Sequence, residues 1–532
     1  MSRAQPRWPV VVGAAAVVSI LTATTATAAT ATGPNTVTPP YVLPFAPGVT
    51  ITSLLTVDDA GKASNGYEMV GIPDGLGARR TGDTVTVLMN HELNAAQGIV
   101  RRHGQQGAFV SELTLNRHTN EVVTGRDLIN PGVQYWNYLT GSYAATPNGA
   151  GTQSDGDVFP AYDPRFGRFC SGRLTEPGQL FNVLTLTGYQ GQLYFANEEV
   201  GDEGRNFAVT TDGQATELPR LGLFSWENTL PAPNRSNTTL VMGNEDTAAG
   251  QLWAYVGTKQ RSGSPVDKAG LTNGRNFVAD LVDEAVSTDA GFRTTFGKGV
   301  PARFDLSEVD WDQSGKDQNT DALAQGLTLN RIEDGAFDPR RPNDFYFVTT
   351  AGGNGPGGGL WRLRWDTIEN PAAGGTLTLL LDGSEGLVSP DNIDVDSKGN
   401  VVVQEDPGNN PHVARIMAYR ISDGALGTLA RFNPALFTSG TPGFITQDEE
   451  SSGIIDAARV YRHPSLSGLP FFVVQELEAS GIFDLLDIAK ASGTFLFDAQ
   501  VHAPTVNNVA EYVERGQLMR MHVDDWRAIY GS

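Results

Sequence analysis

Short β-type segments, separated by turn residues, recur along almost the whole chain and constrain its fold more than any other feature. Residues 84–89, 344–349 and 400–404 are typical: they are rich in β-branched and aromatic residues, and turn-forming residues bound them. Helical patterns are few, and the best two cover residues 280–287 and 483–492. The sequence therefore predicts an all-β fold with a few short helices.

The number of such segments narrows the choice of architecture. Many short strands in a chain of 532 residues fit a β-propeller, in which four-stranded blades surround a central channel. The sequence contains no strict internal repeat, so a pair of β-sandwiches remains the alternative. After residue 41, no linker-like stretch of different composition is long enough to separate the chain into two domains.

The N-terminus has the pattern of an export signal. An apolar run at residues 10–21 follows two arginines, and the triplet at 26–28 fits the small-x-small cleavage rule. We therefore predict a secretory signal peptide over residues 1–28, a linker over 29–40 and a single domain over 41–530. The mature protein is expected to be secreted or periplasmic.

The charge balance excludes several classes of partner. The chain has 60 Asp and Glu residues against 38 Lys and Arg residues, a formal net charge of −22. Nucleic acids and anionic membranes are therefore not expected to bind it. Since 40% of the residues are hydrophobic, a long disordered acidic tail is excluded as well. We expect a monomer that acts on a small molecule.

Many of the acidic residues occur in short clusters next to strand-like runs. The clusters are Asn90-His91-Glu92, Glu198-Glu199, Asn244-Glu245-Asp246, Glu333-Asp334, Glu405-Asp406, Asp448-Glu449-Glu450 and Glu476. If these clusters end equivalent strands of a propeller, their carboxylates converge on the mouth of the channel. Like charges in one confined site force protonation or the binding of cations. Oxygen ligands without paired histidines favour Ca²⁺ or Fe³⁺ over zinc. The alternative to a metal site is that these acids are turn residues on a solvated surface.

Two further residues bear on the chemistry of such a site. Cys170 is the single cysteine of the chain, and it is either a buried apolar side chain or a thiolate ligand. Arg331 lies two residues before Glu333, so on a strand the guanidinium and the carboxylate point to the same face. This pair is either an ordinary ion pair or a metal ligand beside a donor for phosphate oxygens.

Several motifs, in this order along the chain, resemble those of the PhoX-type secreted alkaline phosphatase family. They are Gly66-Tyr67-Glu68-Met69-Val70-Gly71-Ile72-Pro73-Asp74-Gly75-Leu76-Gly77, Asn90-His91-Glu92, Phe169-Cys170-Ser171-Gly172, Ala196-Asn197-Glu198-Glu199, Asn330-Arg331-Ile332-Glu333-Asp334-Gly335, Ser389-Pro390-Asp391-Asn392-Ile393 and Glu449-Glu450-Ser451-Ser452-Gly453. The resemblance implies a propeller of about six blades, a cluster of calcium and iron in the channel, and hydrolysis of phosphomonoesters to release phosphate.

The resemblance also implies roles for individual residues. The implied metal ligands are Cys170, Glu198, Glu199, Glu245, Glu333, Glu405 and Asp406. Arg331 and Glu333 are the implied catalytic pair, and Cys170 is the implied iron ligand. The roles of Asn90, His91 and Glu92 stay open. Two other functions also stay open: a non-catalytic calcium-binding propeller, and a propeller hydrolase of the lactonase type with one calcium ion.

Overall fold

The computed structural model of the chain describes most of its residues. The described ranges are 27–283, 285–352, 358–462 and 492–530. The predicted signal peptide up to residue 26, the acid Glu476 and nearly all of the predicted helix at 483–492 lie outside them.

Six sheets contain most of the described strands, and strands near the N-terminus extend two of them. The N-terminal strands are β1 (Ala29–Thr32), β2 (Val42–Pro44) and β3 (Val49–Thr56). The first sheet contains β4 (Pro73–Thr81), β5 (Thr84–His91), β6 (Phe109–Asn116) and β7 (Val122–Asp127). Three two-stranded hairpins follow in the chain: β8 (Tyr135–Asn137) with β9 (Ser142–Ala144), β10 (Gly151–Thr152) with β11 (Val158–Phe159), and β13 (Phe181–Asn182) with β14 (Thr187–Gly188).

The other five sheets follow the same antiparallel plan. The second contains β12 (Phe169–Leu174), β15 (Leu193–Glu198), β16 (Asn206–Thr210) and β17 (Ala215–Glu217). The third contains β18 (Trp226–Pro231), β19 (Thr238–Glu245), β20 (Leu252–Thr258), β21 (Arg275–Leu281) and β22 (Ala302–Val309). The fourth contains β23 (Ile332–Phe337), β24 (Asp344–Thr349), β25 (Gly359–Trp365) and β26 (Gly375–Leu381). Because β26 also pairs with β22, the third and fourth sheets form one continuous nine-stranded sheet. The fifth contains β27 (Pro390–Val395), β28 (Asn400–Glu405), β29 (Arg415–Arg420) and β30 (Leu426–Phe432). The sixth contains β31 (Glu449–Asp456), β32 (Gly493–Val501) and β33 (Arg515–Val523).

The helices of the described residues are short and lie in the connections between strands. They are α1 (Pro265–Lys268), α2 (Asp289–Thr295), α3 (Gly315–Gln325), α4 (Pro434–Phe437), α5 (Ala458–Arg462) and α6 (Val509–Tyr512), with 3-10 turns at Pro219–Leu221, Pro371–Ala373 and Trp526–Ala528. None of these helices is long and apolar enough to span a membrane. The helix predicted at 280–287 is wrong, because its first residues pair with β22 as the end of β21 and α2 begins only at Asp289.

The first strands of the six sheets surround one axis. β4, β12, β18, β23, β27 and β31 each contact the next first strand, and β31 returns to β4, so that the ring is closed. Within each sheet the later strands follow outwards in order. The prediction of an all-β propeller is confirmed, and the alternative of two sandwiches is excluded.

The N-terminal strands complete the two last sheets. β3 pairs antiparallel with β33, and β2 pairs antiparallel with β30. β1, which falls in the predicted linker 29–40, pairs parallel with β3 while all four of its residues remain exposed. The chain thus joins its two ends through hydrogen bonds between strands.

Apolar side chains fill the space between neighbouring sheets. Between the second and third sheets, for example, the Phe224 ring stacks on Trp226 and on Trp253 at centroid distances of 3.8 and 4.6 Å. Such packing on both faces holds the first strands in place around the axis.

Candidate metal centre

An irregularity near the start of the first strands directs ligand-type side chains towards the axis. The pairing register shifts between Pro73 and Leu76, Phe169 and Gly172, Trp226 and Asn228, Ile332 and Gly335, and Pro390 and Ile393. The first extra residues at these five bulges are Asp74, Cys170, Glu227, Glu333 and Asp391. A β-bulge changes the direction of a side chain relative to the regular pleat. Five sheets therefore each supply one carboxylate or thiol by the same local device.

A left-handed backbone residue precedes four of these five side chains by two positions. The residues are Ile72, Arg168, Arg331 and Ser389, with φ angles of 48°, 37°, 53° and 42°. For a residue with a Cβ atom this conformation costs about 1–2 kcal/mol, and it persists only where the surrounding structure enforces it. The repetition in four strands indicates a built site.

Seven side chains meet at the axis and form what we call the acidic centre. Its members are Asp74, Glu92, Cys170, Glu199, Glu227, Glu333 and Asp391. They form three overlapping groups, and within each group the possible ligand atoms lie within 4.8 Å of one another. Glu92 follows β5 and Glu199 follows β15, so the second strands of two sheets also contribute.

Burial and mutual repulsion oppose ionisation at the acidic centre. Burial, and then the charge of Glu92, raises the pKa of Asp74 well above its ordinary value. Burial, and then Glu199, does the same to Glu227. The pKa of Glu199 itself is raised to about 8, with burial the main cause and Arg168 opposing it. The acidic centre therefore binds either protons or added cations at neutral pH.

Two arginines neutralise part of this charge. Nη2 of Arg168 lies 2.5 Å from a carboxylate oxygen of Glu92 and 2.5 Å from one of Glu199. Nη2 of Arg331 lies 3.0 Å from Glu333, and it lies 2.7 Å from Asp246. The two side chains are 40% and 44% exposed, so each guanidinium bridges two acids and still faces solvent.

The carboxylate oxygens of the acidic centre that have no protein partner within the described part of the chain are suited to bind metal ions. Oδ1 of Asp74 and Oε1 of Glu227 are buried and have no hydrogen-bond partner among the described residues. Leaving such oxygens unpaired costs about 1–3 kcal/mol each, more if they are charged. Several carboxylates with one thiol suit hard cations together with a softer ion beside Cys170.

The structure brings some of the residues predicted for the site together. Cys170, Glu199 and Glu333 are members of the acidic centre, and Arg331 contacts it directly. Asp406 lies at its border: burial, and then the charge of Glu450, raises the Asp406 pKa to about 7.

Three other predicted ligands have different partners. Glu198 is buried with its Oε2 atom 2.7 Å from Nε of Arg205. Glu245 accepts a hydrogen bond of 2.8 Å from the indole of Trp253. Glu405 lies 2.5 Å from an arginine guanidinium on β29. The structure does not bring these three carboxylates to the acidic centre.

Sequence reasoning missed four members of the acidic centre as ligands: Asp74, Glu92, Glu227 and Asp391. Three of them lie inside the family motifs, whereas Glu227 stands alone after Trp226 in no acidic cluster. A three-residue sequence pattern could have identified Glu227: an apolar residue, an acidic residue and a small polar residue at the start of a strand. This pattern occurs at Trp226-Glu227-Asn228 and also at Ile332-Glu333-Asp334.

The structure assigns different positions to the members of the Asn90-His91-Glu92 triplet. Asn90 donates a hydrogen bond of 2.6 Å to the backbone oxygen of Cys170 and so supports a neighbouring bulge. His91 is hydrogen-bonded to Ser111 at 2.7 Å and stacks on Phe109, and burial lowers its pKa to about 3. Only Glu92 reaches the acidic centre.

These features define a class of protein, a β-propeller with buried acidic ligands at the axis of its ring. The family model described as "Alkaline phosphatase PhoX" matches residues 208–453, a little under half of the chain. The predicted resemblance to the PhoX family is therefore confirmed. No curated protein matches the sequence.

Solved structures with a similar fold include a PhoX protein. The structure of Pseudomonas fluorescens PhoX in complex with vanadate, a transition state analogue, has a TM-score of 0.59 at 11% identity. The alignment covers 95% of this chain and 98% of that chain. The structure of Penicillium chrysogenum α-L-arabinanase complexed with arabinobiose has a TM-score of 0.39 at 9% identity, over 89% of this chain and 99% of that chain. At 11% identity the likeness to this PhoX structure concerns the fold.

Proposed function

We propose that the chain is an exported metal-dependent phosphatase that hydrolyses small phosphomonoesters at the acidic centre. The observation that supports this proposal most is the convergence of seven ligand-type side chains at one axis, beside two arginine side chains that are partly exposed. The match to the PhoX family model supports the phosphatase activity. The predicted signal peptide, the single domain over 41–530 and the monomeric state belong to this proposal.

Different side chains of the acidic centre would bind different cations. The carboxylates would hold Ca²⁺, and the Cys170 thiolate would hold Fe³⁺, as the family resemblance implies. When bound, these cations would supply charge neutralisation and Lewis-acid activation of the phosphoryl group. The glutamates and aspartates would hold the cations from five different sheets, which would limit reorganisation during the reaction.

The two arginines would bind the substrate. Each guanidinium is held by two carboxylates and retains N–H groups that face solvent. Such a planar donor matches the non-bridging oxygens of a phosphate, and it stabilises charge that develops on the phosphoryl group. Arg331 and Glu333 are the predicted catalytic pair. Arg168 occupies the equivalent position before β12, two residues before Cys170, with the same left-handed backbone.

Elemental analysis combined with an assay on 4-nitrophenyl phosphate tests this proposal. We expect bound metal and phosphate release in the wild type, and loss of both in Glu227→Gln, with kcat reduced at least about 100-fold. Glu308→Gln is the matched control, because Glu308 forms an exposed ion pair with Arg275 at 2.6 Å.

Two outcomes would contradict the proposal. A Glu227→Gln protein with full metal content and activity would remove the acidic centre from the mechanism. Bound metal without turnover of any phosphomonoester would instead identify a non-catalytic metal-binding propeller.

A further inference from the structure

A separate cavity opens at the far end of the first strands from the acidic centre. It has a volume of about 380 Å³, and its walls include the final residues of β4 and parts of β12, β27 and β31. Arg79 on its wall lies five residues beyond Asp74 on β4, which is roughly 15 Å along a strand. The cavity is therefore distinct from the acidic centre.

The lining of this cavity is cationic in a strongly acidic chain. Four arginines line it, Arg79, Arg80, Arg173 and Arg459, against three carboxylates. With all these groups ionised, the lining carries a net charge of +1, whereas the whole chain carries −22. An excess of positive charge in a concave site concentrates anions there.

Some of these charges are already matched within the wall. Nη1 of Arg173 lies 3.0 Å from Asp394, and Nη1 of Arg459 lies 3.0 Å from Glu176. The third carboxylate, Asp456, accepts a hydrogen bond of 2.9 Å from the backbone of α5. These pairs hold the walls in place.

Arg79 differs from these paired residues. Its Nε atom is buried and has no hydrogen-bond partner among the described residues. No ion pair to Arg79 is found among the described residues either, so the Nη groups of this guanidinium keep their donors for an anion in the cavity. An oxyanion can accept two parallel N–H bonds from such a group.

We propose that this cavity is a second binding site, which takes a small molecule with a phosphate-type oxyanion held by Arg79. Gln190, Gln192 and Thr211 line the same space, and such polar residues suit a polar body attached to the anion. The volume equals that of roughly a dozen water molecules, which is enough for a small organic phosphate. The inference does not depend on the proposed phosphatase activity.

Equilibrium dialysis of the metal-loaded full-length protein with inorganic phosphate tests this site. We expect Arg79→Met to bind one phosphate fewer per chain than the wild type, with kcat on 4-nitrophenyl phosphate unchanged. Arg261→Met is the matched control, because Arg261 is exposed, lies outside the cavity lining and donates to the backbone oxygen of Thr185. Methylphosphonate in place of phosphate separates an organic ligand from the free ion: a higher affinity for methylphosphonate assigns the site to organic anions.

A second variant and a direct measurement cover the case in which Arg79→Met does not fold. Arg79→Lys keeps the charge but loses the planar fork, and we expect it to weaken phosphate binding roughly tenfold. In crystals of the wild type soaked with arsenate, the anomalous signal should lie beside Arg79. Equal phosphate stoichiometry in the wild type and Arg79→Met, or the absence of arsenate from the cavity, would overturn the proposal, whether or not the protein hydrolyses phosphomonoesters.

Discussion

At the scale of single residues, two adjacent glutamates show how the structure separates roles that the sequence joins. Glu198 and Glu199 point in different directions because successive side chains of a strand alternate between its faces. Glu198 is buried against Arg205, whereas Glu199 reaches the acidic centre and contacts Arg168. One carboxylate therefore belongs to the packing of the second sheet, and the other belongs to the site.

The two glutamates should therefore respond differently to substitution by glutamine, one in stability and the other in metal content. Glu198→Gln should lower the free energy of unfolding by about 3 kcal/mol, because it leaves the buried Arg205 charge unpaired, and it should leave the metal content intact. Glu199→Gln should lower the metal content with a smaller effect on stability. Urea unfolding and elemental analysis of both variants measure these effects, and a reduced metal content in Glu198→Gln alone would reverse our assignment.

Lys259 predicts a dependence of stability on pH. It is buried, its Nζ donates to the backbone oxygens of Asn234 and Ser236, and burial lowers its pKa to about 8. The unfolded chain therefore binds more protons than the folded chain between about pH 8 and 10.5, so this group makes folding more favourable as the pH rises through that window. The gain should be about 3 kcal/mol between pH 7.5 and 10.5.

The comparison with Lys259→Met isolates this contribution. The difference in unfolding free energy between wild type and variant, measured by urea titration at both pH values, should change by that amount. A difference that does not vary with pH would show that Lys259 titrates normally in the folded protein.

At the scale of elements, the bulge at the start of β4 packs directly against β12, the next first strand in the ring. Gly75 in the β4 bulge lies so close to β12 that an added Cβ atom would be 2.1 Å from the backbone nitrogen of Gly172. No flexible side chain can move aside there, because the obstructing atoms are backbone. The contact therefore sets the separation between Asp74 and Cys170.

Substitution of Gly75 tests this coupling. Gly75→Ala should push β4 and β12 apart, lower the free energy of unfolding by about 3 kcal/mol and reduce the metal content. Gly149→Ala is the control, because an added Cβ atom at Gly149 meets nothing within 4 Å. Unfolding curves and elemental analysis of both proteins provide the measurement, and a Gly75→Ala protein with full metal content would show that the ring tolerates the displacement.

At the scale of the whole molecule, the N-terminal strands hold the ring closed. Of the strands that the structure describes, a chain that begins at residue 34 lacks just the exposed β1, and it should keep a cooperative thermal transition within a few degrees of the full chain. A chain that begins at residue 57 also lacks β2 and β3, which exposes the edges of β30 and β33. We expect the second chain to lose its cooperative transition in circular dichroism, and its retention would show that the sheets close without these strands.

Local patterns predicted the fold class but not every element. The preference of β-branched and aromatic residues for strands acts over a few positions, so the predicted segments at 344–349 and 400–404 match β24 and β28, the second of which extends to Glu405. The helix expected at 280–287 failed because pairing between β21 and β22 outweighed a weak helical pattern.

The sequence by itself determined that this chain is an all-β protein with clustered acids, a single thiol and motifs that resemble the PhoX family, because composition and short-range pattern carry that information. Only the tertiary structure decided which acids meet. Asp74, Glu227 and Asp391 come from different sheets and are far apart in the chain, yet they approach one axis because the ring closes and the bulges turn them inwards. This convergence depends on packing between distant parts of the chain. No local sequence pattern therefore distinguishes Glu199, which reaches the acidic centre, from Glu198, which does not.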